Sequence, residues 1–457
     1  MAGAKNTGSF RDPSGFIFTE AGKLYRQVNL YYKKEYDHLM AGGLYKELTD
    51  NGLLISHQEV NHQAVTDESY KIIQPEKIDF ISYPYEWSFS QLKDAALLTL
   101  EIQKVAMSKG MSLKDASAYN VQFHQGKPIF IDTLSFEIME KPKPWVAYKQ
   151  YCQHFLAPLS LMSSTDVKLS ELLRSNIDGV PLELASKLLP GRSRLSFGMA
   201  AHIHLHAKSQ KRHATATKSS IKTRSISQNA LHGIISSLNN ATKKLSWKPS
   251  KTEWGEYYSF TNYNDKSFAD KKKIIDKFLD IAKPKNVWDL GANNGLFSRI
   301  AADRGIKTVA FDIDPIAVEA DYIMVKKNNE EAILPILMDL TNPSPPLGWA
   351  HQERESLEQR GPVDMVFSLA LIHHLAISNN LPLESVADYF ARLGEYLVIE
   401  FVPKGDSQVD ILLATREDIF PHYTEAGFEK AFKTKYKIID KTKIKGSKRT
   451  LYLMGKK

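Results

Sequence analysis

Asn286-Val-Trp-Asp289-Leu-Gly291-Ala-Asn293-Asn-Gly295-Leu-Phe-Ser-Arg-Ile300 decides the reading of the second half of this 457-residue chain. A short apolar strand ends near Asp289, a turn carries Gly291 and Gly295, and a helix follows. Glycine at such a turn adopts positive φ and lets the backbone approach a ligand closely. The helix start that follows offers unpaired N–H groups to a ligand. Strand–turn–helix units of this kind serve several cofactors, so the turn alone does not choose among them.

The strands beyond it do. Lys307-Thr-Val-Ala-Phe-Asp312-Ile-Asp314 places an acid at the end of a second strand, about twenty residues after the glycine turn, where a carboxylate accepts both hydroxyls of a ribose. Asp312 is the first choice for that role and Asp314 the second. Ile333-Leu-Pro-Ile-Leu-Met-Asp339 ends a third strand in another acid, where an adenine amino group would lie. Asp364-Met-Val-Phe-Ser-Leu-Ala-Leu-Ile-His-His-Leu375 and Tyr396-Leu-Val-Ile-Glu-Phe-Val402 supply the fourth and fifth. The stretches from Lys435 and from Arg449 read as a closing hairpin whose last strand runs antiparallel to the rest. Regular alternation of strands and helices from Trp254 onward signals a parallel sheet covered by helices.

This series resembles class I S-adenosylmethionine (SAM)-dependent methyltransferases through residues 285–457. The resemblance implies a seven-stranded, Rossmann-like α/β sheet with SAM as cofactor. It implies Asp289, Gly291 and Gly295 around the methionine end, Asp312 on the ribose and Asp339 near the adenine, with Asn293 and Leu369 also beside the cofactor. Asn293 stands where the commonest motif has glycine. A nicotinamide-binding domain fits less well, because the Asp before the turn and the closing hairpin are methyltransferase features. The insertion Asn342-Pro-Ser-Pro-Pro-Leu-Gly-Trp349, with Leu369-Ala-Leu-Ile-His-His-Leu375 and Ile399-Glu-Phe-Val-Pro-Lys404, resembles the methyltransferases related to the nodulation protein NoeA. That kinship implies a saccharide or other small metabolite as acceptor.

A sulfonium carries its own activation, so the protein's task is alignment. A hydroxyl acceptor also needs a general base. His373 and His374 follow the fourth strand, at the edge where sites in open sheets form. Glu400 and Asp406, at and beyond the end of the fifth, complete the catalytic candidates. Trp254-Gly-Glu-Tyr-Tyr-Ser-Phe-Thr-Asn-Tyr263 lies where a lid over the cofactor is expected. His202-Ile-His-Leu-His206 lacks the further ligands that a metal site needs, so no metal is expected.

In the first half, Leu113-Lys-Asp115-Ala-Ser-Ala-Tyr-Asn120 and Phe123-His-Gln-Gly-Lys-Pro-Ile-Phe-Ile-Asp132 resemble the catalytic loop and metal-binding strand of protein kinases and aminoglycoside-phosphotransferase-like enzymes. In that family the first Asp orients the acceptor hydroxyl, while the Asn and second Asp hold magnesium. Here Leu113 replaces the usual His, Thr133-Leu134 replaces Phe-Gly, and the sequence shows no convincing glycine-rich phosphate loop.

Composition is that of a globular protein, 43% hydrophobic and 25% charged. A lone cysteine, Cys152, excludes an intrachain disulfide and fits a reducing compartment. The start of the sequence lacks a secretory signal and no stretch is apolar enough to span a bilayer, so a cytoplasmic setting is expected. The net charge of +8 is exceeded by the segment Lys208–Lys251, which carries ten Lys and Arg and no acid. It reads as a solvated, flexible linker; without interleaved aromatics, nucleic acid is not expected as a partner. The expected organisation is an α+β domain over 10–140 (kinase-like), a helical region over 141–207, the basic linker over 208–251 and a methyltransferase domain over 252–457. The functional expectation is SAM-dependent methyl transfer to a small-molecule or saccharide acceptor. The alternatives are a bifunctional phosphotransferase–methyltransferase and a SAM-binding regulatory module without turnover. Oligomeric state is left open.

Overall fold

The computed structural model describes residues 4–139, 143–208, 226–248, 265–414 and 416–457. The chain divides into two compact units, Met1–Lys248 with Gly348–Glu353, and Pro249–Leu347 with Arg354–Lys457.

The first unit holds a five-stranded antiparallel sheet of β1 (Ala4–Lys5), β2 (Gly15–Glu20), β3 (Lys23–Asn29), β4 (His57–Glu59) and β5 (Ser69–Pro75), in the order β1-β2-β3-β5-β4. Ala21 and Gly22, both at positive φ, make the two-residue turn that joins β2 to β3. Phe16 and Phe18 alternate with outward residues along β2 and pack with Tyr25 and Ile72. A 20-residue helix, Phe89–Ser108, begins at a reciprocal cap: Ser88 Oγ accepts from the Gln91 N–H, and the Gln91 side chain accepts from the Ser88 N–H. Two short hairpin-like pairs follow, β6 (Met111–Leu113) with β9 (Phe136–Ile138), and β7 (Val121–His124) with β8 (Lys127–Phe130). Tyr151, Phe155, Leu156, Leu159 and Leu161 are all fully buried in the helical part beyond.

The expected flexible linker is corrected in part. Gln228–Lys244 is a helix that starts at Ser227, whose Oγ accepts from the Ala230 N–H, and buries Leu231, Ile235, Leu238 and Thr242. Those positions form one helical stripe, a signal that the weight of basic residues masks in the sequence.

The second unit is the expected Rossmann-like sheet. Its strands are β10 (Asn286–Leu290), β11 (Lys307–Asp312), β12 (Ile333–Leu337), β13 (Val363–Ser368), β14 (Gly394–Phe401), β15 (Tyr436–Lys443) and β16 (Thr450–Lys456). Their order is β12-β11-β10-β13-β14-β16-β15. β10 to β14 are parallel, and β16 runs antiparallel between β14 and β15. The order reverses between β10 and β13, which opens a crevice at their carboxyl ends. Below it, Ile275, Phe278 and Leu279 of the Asp265–Ala282 helix pack on Val287, Met365, Phe367, Val398 and Leu453. Lys271 lies one turn earlier on the same stripe and is 1% exposed.

The turn after β10 is held from beneath. Arg299 donates to the Asn294 carbonyl at 2.8 Å and meets Asp321 and Glu330 at 2.7 Å each. Gly295 has φ of 72°, and a Cβ there would stand 2.4 Å from Asp321 Oδ2 and 2.7 Å from Arg299 Nη1. Gly295→Ala therefore combines backbone strain with a clash against a buried ion pair. It should lower unfolding free energy by about 2–3 kcal/mol, read from the urea midpoint at unchanged m-value.

Candidate functional site

At the end of β10 the chain turns through Gly291, with φ of 76°. The Gly291 and Ala292 N–H groups both donate to the Phe311 carbonyl at 2.9 Å, tying the turn to β11. Asn293 is also left-handed, φ 53°. Asn is among the few non-glycine residues that visit this region readily, which explains how it stands in for glycine. Its N–H donates to Asp312 Oδ2 at 2.7 Å, and the Asp314 N–H donates to Asp312 Oδ1 at 2.9 Å. Two backbone donors thus aim the Asp312 carboxyl, while burial pushes its pKa up to about 6. Asp314 is spent on the Ile316 N–H, where it caps the next helix. Asp339 Oδ1 accepts from the N–H and hydroxyl of Thr341 at 2.8 and 2.7 Å.

These groups line one cavity of about 330 Å3, within the range of small-molecule sites. Lys271, Asp289 and Phe297 line it, as do Gly291 to Asn293, Asp312 and Ile313, and Met338 to Thr341. Leu369 to Leu371, His374 and Leu375 form an apolar wall. Asp289 is buried, accepts the Ser298 hydroxyl at 2.6 Å, and is pushed up to about 7 by that burial. The cavity therefore gathers Asp289, Gly291, Asn293, Asp312, Asp339 and Leu369. Gly295 does not line it and serves the packing beneath the turn.

Of the four catalytic candidates only His374 lines the cavity. His373 is fully buried next to it, ring centroids 4.1 Å apart, and neither of its ring nitrogens has a hydrogen-bond partner. Glu400 accepts from Lys271 Nζ at 2.6 Å and approaches Arg449 Nη1 at 3.4 Å. Arg449 donates from Nε and Nη2 to Asp406 at 2.8 and 3.0 Å, and Asp406 also accepts from the Gln408 N–H. Glu400 and Asp406 do not line the cavity; they belong to a buried ion network that reaches it through Lys271.

In the first unit, Asp115 Oδ1 accepts from the Ser117 N–H at 2.9 Å and from Gln150 at 2.8 Å. Asn120 donates to Ser135 Oγ at 3.1 Å, and the Ser135 hydroxyl donates to Asp132. Asp132 also accepts from the Leu134 N–H at 3.0 Å and is paired with Arg26 of β3. Burial raises Asp115, with the Asp132 charge adding to it. Two of the three alternating histidines are taken up by hydroxyls, His202 by Tyr148 and Ser237 and His204 by Ser186 and Ser193, and the His206 ring packs on Tyr148. The aromatic segment 254–263 lies outside the described residues. Among the described residues no helix is long and apolar enough to cross a membrane.

No family model matches the chain. It is 36% identical over 456 residues to the nodulation protein NoeA of Rhizobium meliloti (strain 1021), covering 97% of this chain and 94% of that protein. The chain belongs to the NoeA family. Among solved structures, the bifunctional kinase-methyltransferase WbdD aligns at 17% identity and a TM-score of 0.28, over 42% of this chain and 39% of its own length. Magnesium protoporphyrin IX methyltransferase (ChlM) from Synechocystis PCC 6803, with bound SAH, aligns at 17% identity and a TM-score of 0.32, over 45% of this chain and 93% of that one.

Two cations of this NoeA-family chain escape a reading by motif. Lys271 sits on a helix far from the glycine turn, and its signal is a lysine on an otherwise apolar stripe with Ile275 and Phe278. Arg26 has no motif at all; only folding brings it to Asp132.

Burial drives the His373 pKa well below its ordinary value and that of His374 down to about 4, with the Arg449 charge adding to both. Both rings should stay neutral at pH 5.5 in ring-nitrogen NMR, where an unburied histidine is mostly protonated. Because the unfolded chain takes up these protons below about pH 6.5 and the folded chain does not, each ring costs stability as pH falls through that window.

Proposed function

We propose that the second unit binds S-adenosyl-L-methionine in the cavity above β10 and transfers its methyl group to a small-molecule or saccharide acceptor. The carrying observation is that Asp289, Gly291, Asn293, Asp312 and Asp339 line one cavity at the point where the strand order reverses. A dinucleotide turn alone would not need acids at the ends of three successive strands.

The chain's own residues then divide the work. Asp312, aimed by the Asn293 and Asp314 N–H groups, accepts the two ribose hydroxyls. Asp339, oriented by Thr341, accepts from the adenine amino group. Gly291 lets the backbone pass close, since a Cβ there would already stand 3.2 Å from Leu371. When bound, the cofactor supplies a methyl group activated by its sulfonium. Leu369 and Leu371 keep water from that end of the site. His374, neutral at working pH, accepts the proton that a hydroxyl acceptor releases. Glu400 and Asp406 hold the frame through Lys271 and Arg449 and do not touch the acceptor. The lone, buried Cys152 suits a cytoplasmic enzyme.

A second reading, favoured by the convergence of Asp115, Asn120 and Asp132, gives the first unit a phosphotransferase site. In kinases the third strand carries a lysine that pairs with phosphates; here β3 presents Arg26. Titration with ATP and magnesium decides it: binding that Asp132→Asn removes supports the second site, and no binding leaves the unit as a platform for the acceptor.

SAM should bind the purified chain in calorimetric titration. Asp312→Ala should weaken it about a hundredfold, as expected from losing two hydrogen bonds to a charged acceptor. Transfer of labelled methyl to an extracted acceptor fraction should fall with it. Binding without any turnover would make the unit a SAM-responsive module, and folded protein that binds no SAM would overturn the reading.

A further inference from the structure

From Leu184 to Thr252 the sequence holds thirteen Lys and Arg and no acid. The first part of that run lies in the first unit, and one histidine gathers it. His204 Nδ1 and Nε2 each lie 2.8 Å from a hydroxyl oxygen, those of Ser186 and Ser193. Lys187 and Leu188 follow the first of these contacts, Arg192, Arg194 and Leu195 flank the second, and Leu205 follows the ring itself. Burial lowers the His204 pKa and the Arg194 charge adds to it, which sets that guanidinium near the junction. The apolar side chains here are turned outward: Leu195 is 89% exposed, Phe197 79%, Leu205 62% and Leu188 39%. A single exposed leucine is ordinary, but four such residues around one junction form a patch. Gly198 seats the short Phe197–Met199 helix against the Gln228–Lys244 helix, since a Cβ there would stand 2.5 Å from the Ala241 Cβ. A groove of about 660 Å3 runs here, edged by Leu195 and Phe197 and lined also by Ser163, Ser236, Asn240 and Lys244. Glu183, the acid just before the run, pairs with Lys187 at 3.0 Å and cancels it. Arg192, Arg194 and Lys244 remain as the cations of the patch.

We infer that this patch of the first unit docks on an anionic phospholipid surface, with Leu195 and Phe197 entering the headgroup layer and Arg192, Arg194 and Lys244 meeting lipid phosphates. An apolar tip beside cations is what an interfacial segment needs. The tip leaves water, and the cations gain from the negative potential of the surface. No acid within the run opposes that attraction. A second copy of the chain on the same patch would set these cations against their own symmetry mates. A nucleic-acid strand wants aromatic faces to stack on, and Phe197 is the one aromatic among the patch's four exposed apolar side chains. Docking of this kind is peripheral and needs no spanning helix. It does not depend on the cofactor reading of the second unit.

The test is co-sedimentation of the full chain with vesicles of phosphatidylcholine alone and of phosphatidylcholine and phosphatidylglycerol in equal parts. Binding to the mixed vesicles should be at least about tenfold tighter than to the neutral ones and should weaken as salt is added. Leu195→Ser with Phe197→Ser should weaken it about tenfold or more by removing the apolar tip. Arg192→Gln with Arg194→Gln should weaken it about twentyfold, at about fivefold per cation. All four side chains are exposed, so neither pair of changes threatens the fold, which thermal melting of each variant checks. Insertion is read separately from a Leu195→Cys variant carrying an environment-sensitive fluorophore, because the lone native cysteine, Cys152, is buried. Its emission should shift to the blue on mixed vesicles and stay unshifted on neutral ones. Binding that both double variants leave within about twofold, or a label that stays in water on bound protein, overturns the inference. So does a chain that ignores the mixed vesicles. If that chain instead self-associates until Leu195 and Phe197 are replaced, the patch belongs to a second copy.

Discussion

Four charged side chains, Lys271, Glu400, Arg449 and Asp406, meet in the dry interior of the second unit, and the frame of its site depends on them. They come from the helix before β10, the end of β14, the loop beyond it and the residue before β16. Lys271 and Glu400 have side chains only 2% and 0% exposed. An ion pair at such depth gains little net stability when complete, but losing one partner strands a buried charge at about 3–5 kcal/mol. The network therefore acts as a specification. The closing hairpin must deliver Arg449 between two carboxylates, and the first helix must keep Lys271 against Glu400, or the interior is left with an uncompensated charge. The antiparallel β16, paired to β14 over Tyr396–Phe401, places Arg449 there.

The turn after β10 satisfies a second constraint, and its three left-handed residues do so for different reasons. Gly291 passes under Leu371, so any side chain there would press on the apolar wall of the cavity. Asn293 needs the left-handed region so that its N–H can reach Asp312. Gly295 is required by what lies beneath, since Asp321 and Arg299 occupy the space a Cβ would take. A motif that looks like a ligand loop is thus partly a packing joint. Its third glycine speaks for the ion pair below.

Kinship with NoeA extends over both units, because the identity covers 97% of the chain. The first unit is therefore part of what the family retains, and its polar centre is internally coupled. Ser135 links Asn120 to Asp132, Arg26 neutralises Asp132, and the Asp132 charge in turn raises Asp115. A cluster this connected is costly to leave half satisfied.

By itself the sequence determined the parallel sheet, its reversed last strand and the acids at the strand ends, because these follow from local rules. Apolar runs of strand length, glycines at obligatory turns and polar residues at strand termini are all read within a few residues. It also placed Asp289, Asp312 and Asp339 in one series, since a doubly wound sheet puts successive strand ends along one edge. Tertiary structure alone decided the rest. Glu400 and Asp406 sit at the right edge by sequence, yet long-range pairing with Lys271 and Arg449 draws them into the interior. His373 and His374 are adjacent in sequence, and only the path of the chain after β13 turns one toward the cavity and buries the other. The helix Gln228–Lys244 was hidden because its apolar stripe has meaning only against a surface to bury it. Lys271 and Arg26 carry no motif, because a buried cation is defined by the anion it meets, and that anion lies more than a hundred residues away in each case.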